Sequence, residues 1–194
     1  MLTLITRLAR LTAIVGGLVL VVLVVLTCIS VLGRGLNTIG HSDALNAISQ
    51  GAADALLATG VAPLNGDFEL VEAGIAFAVF SFLPICQLYG AHATVDVFTS
   101  VLPPRVNKFI MAFWEVVLSA LIVLITWRLF VGMQAKMAYG ETTFLLQFPV
   151  WWAYAASFGA ACVASLVSLY CAVARVGEAI TGRALMPFSE GAVH

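Results

Sequence analysis

Four ionisable residues stand inside or at the mouth of long apolar runs: Glu69, Glu72, Glu115 and Arg128. A charge within a membrane helix is expensive and by default marks function, a partner or a structural pair. Glu72 is placed about one turn into an apolar run and Arg128 at a similar depth in the next, counting about 1.5 Å per residue. On adjacent antiparallel helices Arg128 would reach Glu69 or Glu72, either as an ion pair fixing helix register or as a contact to a partner subunit. Glu115 lies about two turns into its run, within reach of Arg105 or Lys108, or of polar groups such as Gln87. A proton or ion relay needs several polar groups at one depth, and a single Glu does not supply them.

The remaining chemistry-bearing residues are scattered. His41, His92 and His194 fall outside the apolar runs, so a haem held between membrane helices has no ligands. Cys28, Cys86, Cys162 and Cys171 lie within apolar runs and lack CxxC spacing, which favours small buried hydrophobes over a metal site or disulfide framework. No nucleophile–base pair, phosphate loop or metal cluster is present. The residues therefore point to no catalysis and to no cofactor.

The elements that must hold these groups follow from composition. The chain of 194 residues is 62% hydrophobic and 10% charged, against about 25% charged in soluble domains. An integral membrane protein is expected, a single membrane domain over 1–194 in contact with the lipid bilayer. The net charge of −1 and the lack of a basic stripe give no reason to expect nucleic acid. Backbone groups have no partners in lipid, so helices are the expected spans.

An all-α fold with four transmembrane helices is predicted, at about 8–32, 69–90, 107–133 and 149–173, each near the roughly 20 residues a bilayer core requires. The first run, Leu11 to Leu32, exceeds the h-region of a signal peptide and no A-x-A-like site follows, so it reads as a retained span. Its core, Val19 to Leu26, is apolar on every face, while Gly16, Gly17 and Gly33 allow close helix approach. Pro84 is positioned to kink the second span. Pro149 suits the first turn of the fourth, where Trp151, Trp152 and Tyr154 form an interfacial aromatic cluster. The Ala, Ser and Gly content of that span, from Ala155 to Ser168, favours tight packing.

Between the first two spans, Leu45, Ile48, Ala52, Ala55 and Leu56 recur at helical spacing opposite Asn46, Gln50 and Asp54. A short amphipathic helix over about 43–58 is expected, capped by Ser42 or Asp43 and closed by Gly60 and Pro63. It lacks a Lys/Arg face, which favours packing on protein. Six basic residues (Arg7, Arg10, Arg105, Lys108, Arg175, Arg183) flank one side of the spans and three (Arg34, Arg128, Lys136) the other. The positive-inside rule then puts both termini and the loop with His92 and Asp96 in the cytoplasm.

In order and spacing these features resemble the small membrane subunit of tripartite ATP-independent periplasmic (TRAP) transporters, the DctQ-like family. The likeness extends over about 170 residues. It rests on "GDFELVE" leading into the second span, on "GAHATVDVFTSVLPPRV", similar to an H-x-x-V-D segment before a Pro-containing turn, and on "ETTFLLQFPVWWAYAA", similar to an (I/F)P-x-W-x-x-Y lead into the fourth span. The segment from Arg34 to Asn65 is longer than in compact members. The resemblance implies a bacterial inner-membrane scaffold. A periplasmic binding protein would deliver an organic anion to a large elevator-type subunit driven by a sodium gradient rather than ATP. The small subunit would support the large one and contribute to docking. His92, Asp96, Trp151 and Trp152 then become candidates for structural or partner contact beside the four charged residues. The alternative reading is a membrane anchor of a respiratory enzyme or a small self-assembling carrier. A carrier acting alone should show discontinuous helices or a midplane ionisable site.

Overall fold

The computed structural model describes residues 2–42, 64–90 and 104–181, with positions 47, 50, 51, 54 and 58 between them. Four helices make up the fold: α1 (Leu2–Gly40), α2 (Asp67–Tyr89), α3 (Pro104–Tyr139) and α4 (Trp151–Thr181). All four are long and apolar enough to cross a membrane. Among the described residues there is no strand, only an isolated bridge between Thr142 and Pro149 that pinches the α3–α4 connection. The amphipathic helix expected over 43–58 lies outside the described residues apart from isolated positions, as do His92 and Asp96.

The helices outrun the apolar stretches that announce them. α1 has 39 residues and α3 has 36, about 58 and 54 Å of helix at 1.5 Å per residue, against a hydrocarbon core of roughly 30 Å. Polar residues end hydrophobicity without ending a helix, and neither flank of α1 contains proline. Thr6 and Thr38, on those flanks, return their hydroxyls to the carbonyls of Leu2 and Arg34. α2 runs unbroken through Pro84. Pro149 precedes α4 instead of opening it. It joins the bridge to Thr142, and its carbonyl receives the N–H of Trp152 at 3.1 Å.

α4 is central: it packs against α2 and α3, while α1 rests mainly on α2. The buried positions of α1 include Ala9, Gly16, Leu23 and Ser30, a seven-residue repeat that keeps one narrow seam facing its neighbour, as in coiled-coil packing. Close approach along this seam depends on Gly16, where an added Cβ would stand 2.7 Å from the Cβ of Ser81. The buried face of α4 is built from small residues, including Ser157, Ala160, Ala161, Ala164 and Ser168. Lipid gives helices little hydrophobic reason to associate, so small-residue contact and interhelical hydrogen bonds take over. Ser119 of α3 donates to the Ser168 carbonyl at 2.9 Å. Thr126 of α3 lies 2.8 Å from the Ser165 hydroxyl and 3.2 Å from the Ala161 carbonyl.

Candidate functional site

Contacts of charged side chains gather at the two ends of the bundle, beyond the mid-span hydroxyl contacts of Ser119 and Thr126. At one end, here the loop end, α1 and α3 finish and α2 and α4 begin. The opposite, terminal end is where α1 and α3 begin.

At the loop end, Asp67 fastens α2 to α1. It accepts the Ser30 hydroxyl at 2.5 Å and faces the Arg34 guanidinium at 3.7 Å. Its other oxygen accepts the N–H of Phe68 at 2.8 Å. In the sequence Asp67 stands out only as part of an acidic lead-in to the second span. Ser30 and Arg34, four residues apart on one helix face, are the signal that could have singled it out.

Glu69 is 6% exposed, and its carboxylate holds the α3–α4 connection. One oxygen accepts the N–H of Leu145 at 2.7 Å, the other that of Leu146 at 3.0 Å. The connection comes so near that a Cβ on Gly66, the residue ahead of α2, would stand 2.5 Å from Leu146 Cγ. Gly66 also has φ +80°, a left-handed conformation open to glycine at little cost.

The expected pairing of Arg128 with Glu69 or Glu72 is therefore corrected. Among the described residues no ion pair within 4.0 Å joins them. Glu69 is already satisfied by two backbone amides. α3 continues six residues past Met133, to Tyr139, which sets Arg128 about 9 Å further from the helix end than the apolar run suggests. Arg128 and Glu72 are both exposed.

The connection is tied again by Lys136, which donates to Glu141 at 2.5 Å. Trp151 and Trp152 open α4 with rings 6.1 Å apart and nearly perpendicular. A cavity of about 480 Å³ lies beneath the connection, bordered by α2, α4 and Leu129 of α3.

At the terminal end, Gln87 of α2 donates to Glu115 of α3 at 2.6 Å. Of the partners considered for Glu115, the Gln87 contact is present. The side chains of Arg105 and Lys108 lie outside the described residues. Arg10 of α1 donates to the Tyr89 hydroxyl at 3.3 Å. Arg175 and Glu178 form an ion pair at 3.2 Å with side chains 11% and 9% exposed. Ending the fourth span near Val173 hides that pair. The spacing of three residues between opposite charges, on the buried face that continues from Cys171 and Ala174, is its signal. The four thiols are free, and among the described residues no three His, Cys, Asp or Glu side chains group as metal ligands.

The arrangement can join helices and fix a connection. It ties polar groups of one helix to the next, with each end fastened separately. A family model described as tripartite ATP-independent periplasmic transporters, DctQ component, matches residues 52–176. The chain belongs to this DctQ family. Neither the curated proteins nor the solved structures gave a match. The matched region of this DctQ-family chain takes in α2, α3 and most of α4, hence the Glu69 clasp, the Gln87–Glu115 contact and the cavity. The family is one of transporter components rather than enzymes.

Proposed function

We propose that this chain is the scaffold subunit of a TRAP transporter. In this reading it sits in the bacterial inner membrane with both termini cytoplasmic. It supports a large elevator-type subunit that takes up an organic acid with sodium, the acid being delivered by a periplasmic binding protein. The observation that carries the reading is where polar groups inside the spans go. Gln87 turns to Glu115, Ser119 to the Ser168 carbonyl and Thr126 to Ser165. Each contact joins two helices of this chain, as expected of a rigid support. The exposed apolar faces of α1 and α3, with Val21, Val25, Phe113 and Leu124 among them, are suited to lipid and to a second membrane protein.

The test is purification of the tagged chain from its native membrane in mild detergent. A large polytopic protein should migrate with it at fixed stoichiometry. Co-migration with a redox subunit would replace the reading with a respiratory anchor.

A further inference from the structure

The cavity at the loop end has a chemistry of its own, independent of any role in transport. α2 and α3 meet through Gln87 and Glu115 at the terminal end. At the loop end they border a space over α4, with Glu72, Ala76 and Phe80 on one side and Leu129 on the other. Its volume of about 480 Å³ is within the range of small-molecule pockets. None of the lining residues is basic, so the space repels an organic anion and suits a cation on an apolar body.

Besides the Thr143 hydroxyl in the connection, two groups on the wall lack the partners their setting requires. Ser157 lines the space, is 2% exposed, and its hydroxyl has no hydrogen-bond partner. A buried hydroxyl without an acceptor is unfavourable. An ester carbonyl oxygen from a ligand would accept its hydrogen bond. Glu72 carries an exposed carboxylate that forms no ion pair among the described residues, which leaves it open to a cationic partner at the cavity wall. Glu69, nearby on the same helix, is satisfied by backbone amides and leaves the cation to Glu72.

Level decides the source of that cation. Glu72 is five residues into α2, about 8 Å along the axis. It shares the cavity wall with Tyr154, one turn beyond the Trp151–Trp152 pair that opens α4. Such aromatic residues sit at headgroup depth, where ammonium groups belong to lipids. We propose that this groove holds an aminophospholipid, its ammonium on Glu72, an ester carbonyl on Ser157 and an acyl chain along Ala76 and Phe80.

The test uses the full chain, stripped of lipid in detergent and titrated with phosphatidylethanolamine or phosphatidylglycerol of identical acyl chains. Retention is read by native mass spectrometry. Wild type should retain the ethanolamine lipid about tenfold more than the glycerol lipid, the lower end of what one hydrogen bond to a charged group contributes. Glu72→Gln should erase that preference. Ala76→Phe, at an exposed position of the groove wall, should lower retention of both lipids. Equal retention of the two by wild type, or retention unaltered in Ala76→Phe, would overturn the proposal. In the assembled complex a photocrosslinker at Ala76 should capture lipid; capture of a polypeptide would give the groove to a protein partner and end the lipid reading.

Discussion

α1 and α4 are both long apolar helices, yet they meet their surroundings in opposite ways. α1 is Val- and Leu-rich all round and buries a single seam of mostly small residues. Val21, Val22, Val24 and Val25 stay more than half exposed. α4 buries ten residues, most of them Ala or Ser, and takes hydrogen bonds from α3. Apolar bulk therefore does not mark the core of this protein. In lipid, small side chains let backbones approach, and large ones face hydrocarbon as readily as protein. The helix with the most apolar span is consequently a peripheral one.

Four substitutions and one second-site rescue probe this contrast. The largest effect is expected from Ala164→Phe in α4, since Ala164 is 1% exposed among packed neighbours. Overpacking there should cost about 3 kcal/mol, read as loss of monodisperse protein and an earlier unfolding transition in detergent. Gly16→Leu should wedge the α1 seam open at Ser81 and cost about 2 kcal/mol. Ser81→Gly, which removes the atom 2.7 Å away, should recover part of that loss. Glu69→Ala should leave α4 intact but release the connection ahead of it. Amide exchange at Leu145 and Leu146 should then quicken about tenfold, and unchanged exchange would contradict the clasp. Val22→Phe, on the exposed face of α1, should shift stability by less than about 0.5 kcal/mol. A loss comparable to Ala164→Phe would put α1 in the core and cancel the contrast.

Some of this is legible in the sequence because hydrophobicity and side-chain size are local properties. The four spans, the small-residue character of α4 and the Trp151–Trp152 pair all follow from residues near one another in the chain. The Gln87 option for Glu115 is also visible, as two polar groups in facing apolar runs. What stays hidden depends on backbone or on helix length. Glu69 finds main-chain amides of Leu145 and Leu146, which leave no mark in residue type. Arg128 stands away from the acidic pair because α3 continues through Gln134 and Lys136 to Tyr139. Arg175–Glu178 is lost at a boundary set by hydropathy, although the helix runs on to Thr181. The groove between α2 and α3 arises from three helices at once, and no periodicity announces it.

On the proposed function, this chain supports transport without holding the cargo. The decisive measurement is uptake after reconstitution in proteoliposomes under an inward sodium gradient. The purified chain alone should move no organic acid, and uptake should begin only when the large subunit and the binding protein are added. Sodium-driven uptake by this chain alone would contradict the claim.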